Sequence, residues 1–585
     1  MAIITLLAIV FQSLSVPFAK AQTGKRPNVI LIMTDDMGYG DVGIQGNTMI
    51  TTPNLDAFAK QSVRMTDFHV DPTCSETRAA LMAGRYSCRT GVWHTIEGRS
   101  ILRDDELTMA QVFGNSGYAT GIFGKWHLGD NYPYRPRDRG FQTEVIHGGG
   151  GVSQTPDFWG NNYFDDTYFR NGKTEKETGY CTDVFFNKTM EFIKENRDKP
   201  FFAYLATNAA HGPYRCEKKY SQPYLDKGLE STMSSFYGMI TNIDDNVGRL
   251  RKKLAEWDLE DNTILIFTSD NGTARGMLKP DAIESGKYEW IGFNGGLRGT
   301  KSSNQEGGHR VPFYIRWPDG KIGGDKEIST LTAQFDLLPT FIDICDLKLP
   351  REVEFDGKSL KELWLDPSEK TDLEDRTLIV HSQRIANPEK WRKCSIMKQN
   401  WRLQNGKYLY DLSTDLAQEK DIAKKHPEVV KELRDSYEAW WASVSTRFSE
   451  YVRIPLGGDT EPNVLLTCQD WHATKGDVPW NQGKIKADPV ANGYYAVDVK
   501  QAGNYQIVLR CRPEGVDYQF KAGEAKVTVG NVEEKVSFPK GQDAIKLSME
   551  LPKGPAFLQA FITEGENKEK QTRGAYYIDV NRISE

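Results

Sequence analysis

Cys74 and Arg78 stand four residues apart at the head of the segment Cys74-Ser75-Glu76-Thr77-Arg78-Ala79-Ala80-Leu81-Met82-Ala83-Gly84-Arg85, whose good helix formers predict a helix that starts at the cysteine. Residues i and i+4 share a helix face, so Arg78 falls one turn behind Cys74. The free N–H groups and partial positive charge of a helix start attract an anion and favour an anionic nucleophile. Two further pairs, Asp35-Asp36 and Asp270-Asn271, carry hard oxygen donors suited to Ca2+ or Mg2+ and poor for soft metals. A divalent ion neutralises an anionic substrate and lowers the pKa of a nucleophilic hydroxyl. A single Asp-Asp is commonly a solvated turn. Two such pairs, each directly after an apolar run, weigh against that reading.

The elements that must position these residues are four short apolar runs. Residues 29–33 precede Asp35-Asp36, 120–123 precede Lys125 and His127, 201–206 precede His211, and 264–267 precede Asp270-Asn271. Each reads as a buried parallel strand. Open α/β sheets bind ligands at the carboxyl ends of their strands, so the four clusters are expected to meet at one site. Helix-like stretches at 55–63, 183–195 and 234–257 supply crossovers, which predicts a doubly wound, mostly parallel α/β sheet. Residues 331–344 read as another helix, 408–411 as a strand and 428–441 as an amphipathic helix. Beyond about residue 450 the texture changes to short candidate strands at 493–499, 504–510, 524–529, 544–551 and 556–562, spaced as in a β-sandwich.

A chain of 585 residues exceeds what one hydrophobic core supports. The expected division is a leader over 1–21, a catalytic domain with its own smaller C-terminal subdomain over 22–450, and a β-sandwich over 451–585. Residues 2–18 are apolar and end in Ala19-Lys20-Ala21, the small-x-small form of a signal-peptidase site, so an exported protein, periplasmic or secreted, is expected. No other segment is long and apolar enough for a stable membrane span. A net charge of −6 gives no general affinity for polyanions, which argues against a nucleic-acid partner. The eight cysteines form no CxxC zinc pattern, and in an oxidising compartment some are expected to pair, with connectivity left open.

Taken together, the Cys74–Arg85 segment, Gly124-Lys125-Trp126-His127-Leu128-Gly129, Asn208-Ala209-Ala210-His211-Gly212-Pro213, and Gly299-Thr300-Lys301 followed by Glu306-Gly307-Gly308-His309-Arg310-Val311-Pro312 resemble motifs of the type I sulfatases, within the alkaline-phosphatase-like superfamily. The resemblance runs from about Arg26 to Trp441, and Tyr408-Leu409-Tyr410-Asp411-Leu412 and His426-Pro427 resemble its C-terminal part. It implies that Cys74 is oxidised to formylglycine by a maturation enzyme and that the hydrated aldehyde attacks sulfur. It implies calcium held by Asp35, Asp36, Asp270, Asn271 and the side chain derived from Cys74, with Asp270 doubling as base to the diol. It further implies that Arg78 and Lys125 lie close to the nucleophile, that His127 accepts the proton when sulfate is expelled, and that His211 and Lys301 bind sulfate and protonate the departing alkoxide. Glu76 stands where the family pattern has proline, a position that belongs to the maturation signal. His309 reads as structural.

Arg135, Arg137 and Arg139, with Trp159, Tyr163, Tyr168 and Trp290, are expected to rim the pocket, arginines holding further anionic groups and aromatics stacking on sugar faces. The implied activity is hydrolysis of sulfate esters on sulfated carbohydrate. Two alternatives remain at this stage: a phosphate mono- or diester hydrolase of the same superfamily, or an unmatured carbohydrate-binding protein. In the tail, Trp471, Trp480, Tyr494 and Tyr495 are candidates for carbohydrate contact.

Overall fold

The computed structural model describes residues 26–278, 290–368, 371–565 and 570–583. The leader expected over 1–21 lies outside these residues. The four apolar runs become neighbouring strands: β1 (Asn28–Thr34), β2 (Ala119–Gly124), β4 (Phe201–Ala206) and β5 (Thr263–Ser269), with β3 (Thr143–Ile146) beside β2. Their order is β5-β1-β4-β2-β3, and every adjacent pair is parallel. Beyond β5 lie Tyr314–Arg316, antiparallel to it, then Val63–Met65 and Lys326–Ile328; beyond β3 lie Thr167–Arg170 and Lys173–Lys176. This ten-stranded, mostly parallel sheet is the doubly wound class expected.

Alternation along β1 shows why both faces are covered. Val29, Leu31 and Met33 enter one core with Leu81 and Met82 of α1 (Cys74–Ala83), whereas Ile30 and Ile32 enter another. That second core holds Phe185 and Ile193 of α2 (Cys181–Asn196) and Met233, Ile240 and Leu250 of α3 (Ser231–Glu256). All ten residues of α1 are buried, so it is an internal helix rather than a surface one.

Two expectations on elements are corrected. The stretch 55–63 is a helix only over Pro53–Ala59, because Val63 already pairs with Ile315 at the flank of the sheet. The stretch 331–344 starts as a strand, Thr332–Ala333, paired with Phe68–His69, and becomes α-helical only from Leu337. Between them Asp336 caps the 3-10 turn Gln334–Asp336: its carboxylate accepts the Ala333 N–H at 2.8 Å and is held by Arg376 at 2.8 Å.

Residues 378–411 form a four-stranded antiparallel sheet covered by the helix Pro427–Val444. From Ile454 onward two antiparallel-rich sheets face each other. One is built on Asn492–Val499, Gly554–Glu564, Gly523–Val529 and Val532–Phe538, the other on Asn463–Thr467, Tyr577–Arg582, Gly503–Arg510 and Ile545–Leu551. Their inward residues, such as Tyr495, Val497, Ile507 and Leu509, share one core, which also takes in Ile101 and Tyr134 from the larger part of the chain. The β-rich tail is therefore packed against the α/β part. No helix among the described residues is long and apolar enough to cross a membrane. All eight cysteines, whose pairing the sequence left open, are unpaired, and seven of them are buried.

Candidate active site

The strand register brings the four polar clusters to one edge. Met33 pairs with both Ala206 and Thr268, and Gly124 pairs with Ala206, so the chain leaves β1, β2, β4 and β5 at nearly the same level. Gly124 has φ +109° and a Cβ there would sit 1.9 Å from the Ala206 carbonyl oxygen. Only glycine permits the turn that carries Lys125 inward.

Ligand atoms of Asp35, Cys74 and Asp270 lie within 4.8 Å of one another, all buried. Lys125 Nζ donates to Asp35 Oδ2 at 2.7 Å and lies 3.8 Å from Asp270 Oδ2. Burial, then Asp270, push the Asp35 carboxyl well above the usual carboxylate range, with Lys125 opposing. Asp36, with φ 63°, donates its N–H to Asp270 Oδ1 at 3.2 Å. Its own Oδ1 accepts from Asn271 Nδ2 at 2.8 Å and pairs with Lys301 Nζ at 2.5 Å. Burial opposes its ionisation, yet Lys301, His211 and Lys125 together hold its pKa well below the ordinary value. Asp35 Oδ1 and Asn271 Oδ1 are buried acceptors with no hydrogen-bond partner. Two orphaned oxygens beside crowded carboxylates are costly unless a cation takes them up. The donors are hard oxygens, so the site fits calcium.

Cys74 is the first residue of α1, after an extended Thr73. Its Sγ lies 3.4 Å from His127 Nδ1. Burial pushes the thiol pKa up, with Lys125 and Lys301 only partly opposing, so the helix start does not make a thiolate here. On the other side of the ring, His127 Nε2 lies 2.8 Å from the Thr95 carbonyl oxygen. A carbonyl only accepts, so Nε2 carries the hydrogen and Nδ1 turns its lone pair to position 74. Burial, then Lys125, push the imidazole pKa well below its usual value, which keeps it neutral with the Nδ1 lone pair free to accept a proton. Gly150 packs on the ring so closely that a Cβ would come within 2.1 Å of it.

Arg78 does not line the cavity over Cys74. Its side chain is fully buried; Nε and a terminal nitrogen reach Asp270 Oδ2 at 3.1 and 2.7 Å, and the other terminal nitrogen reaches Lys125 O and Tyr204 Oη. It orients the acidic cluster rather than meeting substrate. Above the cluster opens a cavity of about 120 Å³ lined by Cys74, His127, His211 and Lys301 together with Thr95, Ile96, Gln154, Arg384 and Trp480. Burial disfavours the Lys301 ammonium, but Asp36, Cys74 and Asp35 hold its pKa above the ordinary value. His211 is the opposite case: burial and Lys301 lower its pKa to about 4. Its Nδ1 is tied to the Gly212 carbonyl at 2.6 Å, and Tyr163 Oη donates to the His211 carbonyl at 2.7 Å.

Glu76 does not line the cavity. It is buried beside Asp71, neither carboxylate oxygen has a hydrogen-bond partner, and burial raises its pKa. His309 faces His69 at 2.9 Å within a buried cluster where Arg402 neutralises Glu306 and Asp67.

The expected pocket rim is largely overturned. Arg135 pairs with Asp138 and Glu461, Arg137 with Glu144, and Arg139 donates to the carbonyls of Asp104, Arg103 and Glu106. Their charge is spent inside the protein. Tyr163 and Tyr168 are buried, Trp290 packs on the core around α3, and Trp159 packs against the β-rich tail. Of the tail aromatics, Trp471 and Tyr495 are core residues and Tyr494 stacks on His472, whereas Trp480 reaches the cavity. Thr95, Gln154 and Arg384 were not singled out in the sequence. They belong to loops and carry no motif.

Residues 27–347 match the family model described as Sulfatase. The N-acetylgalactosamine-6-O-sulfatase of Bacteroides thetaiotaomicron is 28% identical over 509 residues, covering 73% of this chain and 94% of that protein. Arylsulfatase G of Mus musculus is 29% identical over 379 residues, covering 59% and 70%. Among solved structures, Ps i-CgsB in complex with k-i-k-neocarrahexaose superposes with a TM-score of 0.63 at 27% identity, covering 73% of this chain and 95% of that one.

Proposed function

Because this chain belongs to the sulfatase family and is a sulfuric ester hydrolase, we propose that it removes sulfate from sulfated carbohydrate, using calcium and a formylglycine made from Cys74 by a maturation enzyme. The observation that carries the reading is the convergence of Asp35, Asp270 and Cys74 beneath a cavity walled by His127, His211 and Lys301. Relatives named for sulfated sugars, and a neighbour solved with an oligosaccharide, support the substrate class. The leader-like residues 1–21 support export to the periplasm or beyond.

When present, calcium would be held by Asp35, Asp36, Asp270, Asn271 and the side chain at 74, neutralising sulfate charge, and formylglycine would supply a hydroxyl for attack on sulfur. The rest falls to ordinary side chains. Arg78 and Lys125 fix the two carboxylates. Lys301, kept charged beside Asp36, faces the cavity and serves both as sulfate partner and as proton donor to the sugar oxygen when its bond to sulfur breaks. His211 has its Nδ1 hydrogen committed to Gly212, so it donates to sulfate or to the departing oxygen only through Nε2 in its protonated form, as a second donor beside Lys301. His127 Nδ1 takes the proton whose loss from position 74 lets sulfate leave.

The test is a pair of measurements on protein matured in its native host. Rates on an aryl sulfate and on aryl phosphates should favour the sulfate ester strongly, and a preference for phosphate would overturn the assignment. Mass spectrometry of the peptide containing residue 74 should show the aldehyde. An intact thiol in active protein would exclude formylglycine, and binding of carbohydrate without turnover would make the chain a binding protein.

A further inference from the structure

Trp480 belongs to the β-rich tail, yet it forms part of the wall of the cavity over Cys74. The way it is held there shows that its place is built. The Thr155 N–H donates to the Trp480 carbonyl at 3.0 Å and Thr155 Oγ1 to the Pro479 carbonyl at 2.7 Å. Asn481 bridges Gln154, and its side chain caps the short helix Gln482–Lys486 by accepting the Lys484 N–H at 2.8 Å. The Gln482 N–H donates to the Ser153 carbonyl at 3.0 Å, and its side-chain amide is enclosed by the carbonyls of Gln154, Asp157 and Phe158 and the Gly160 N–H. The indole is thus presented, half-buried, on backbone pinned from both sides of the joint. A platform fixed in advance loses little conformational entropy when a sugar face settles on it.

Arg384 completes the rim from the loop after the strand Leu378–His381. It is exposed, and its guanidinium donates to two hydroxyls, Ser302 Oγ at 3.2 Å and Thr95 Oγ1 at 3.5 Å, rather than to a carboxylate. That differs from Arg135 and Arg137, which are neutralised internally. A guanidinium so placed has donors left for a planar or tetrahedral anion.

We propose that Trp480 and Arg384 form the specificity-determining rim of the pocket, so that the preferred substrate is a sulfated sugar offering one ring face to Trp480 and a second anionic group, carboxylate or sulfate, to Arg384. The β-rich tail is then a part of the active site and not a detachable carbohydrate-binding module. This rests on the sulfatase reading above, and an aryl sulfate, which lacks both sugar and second anion, separates the two.

The experiment uses full-length matured protein and measures kcat/KM on an aryl sulfate and on three defined disaccharides: one with a single sulfate, one with a second sulfate, and one with a neighbouring uronate. Trp480→Ala should lower the ratio of sugar to aryl sulfate kcat/KM by about tenfold or more, equivalent to about 1.4 kcal/mol. Trp480→Phe, which keeps a flat ring and guards against misfolding, should restore most of it. The wild type should prefer one of the two doubly charged disaccharides, which identifies the anion. Arg384→Ala should abolish that preference, and Arg384→Lys should recover part. Unchanged ratios in a wild type that turns over the aryl sulfate would overturn the inference alone. A wild type inert toward every sulfate ester would overturn it together with the reading beneath it.

Discussion

The Nδ1 atom of His127 lies 3.4 Å from the Sγ atom of Cys74, and it faces that way because the opposite ring nitrogen donates to the Thr95 carbonyl. Thr95 in turn belongs to a loop held by the β-rich tail: the Glu97 N–H donates to the Gln469 carbonyl at 2.9 Å, and Gly98 abuts His472. A chain of contacts therefore runs from the tail to the nucleophile position.

If His127 accepts the proton that frees sulfate, His127→Ala or His127→Gln should lower kcat by about 10²–10⁴-fold. Mixing the variant with an aryl sulfate and recording intact mass should reveal accumulated sulfated enzyme. A variant that slows without accumulating it would place His127 in an earlier step.

Arg78 is fully buried against Asp270. Arg78→Ala leaves that carboxylate with only Lys125, 3.8 Å away, to offset its charge, and should cost about 3–5 kcal/mol in urea unfolding. Arg78→Lys loses the forked geometry and should recover only part. Adding Asp270→Asn to Arg78→Ala should restore stability without restoring activity; additive losses would show that the two do not act as a pair.

Calcium binding to the folded protein alone should raise its stability, by about 2.7 kcal/mol at a hundredfold excess over Kd. A thermal melt with and without Ca2+ checks this. The shift should vanish in Asp35→Asn, because Asp35 contributes a charged carboxylate and one of the two orphaned buried oxygens. A shift that survives would locate the ion elsewhere.

The joint with the tail should weaken as pH rises toward about 8. Burial, then Asp130, raise Asp470 to about 8, and burial raises Asp157 to about 8. A carboxyl raised in the folded state binds its proton more tightly there than in the unfolded chain. Its contribution is complete below the unfolded value of about 3.9 and is lost as pH rises through about 8. Tm should therefore fall between pH 5 and 8, and Asp470→Asn should flatten the fall. An equal slope in that variant would clear Asp470 of the effect.

Much of the site could be read in advance because its residues follow strands. An apolar run ended by Asp35-Asp36, by Lys125, or by Asp270-Asn271 declares both its element and its end, and parallel pairing then brings those ends together. The rim was read poorly for a related reason. Arg135, Arg137 and Arg139 look available in one dimension, and whether a guanidinium is free depends on Glu144, Glu461 or a carbonyl far along the chain. The boundary errors at 55–63 and 331–344 have the same origin, since sheet pairing of Val63 and Thr332 overrode local helix preference.

The sequence by itself determined the class of sheet, the chemical types gathered at its edge, and the start of α1 at Cys74, because strand burial and helix onset are written in local pattern. Tertiary structure alone decided which tautomer His127 adopts, that Arg78 serves Asp270 rather than substrate, and that Trp480 reaches the pocket from some four hundred residues beyond the nucleophile. Each of those depends on a partner brought close by packing between distant segments, and no spacing along the chain encodes such a distance.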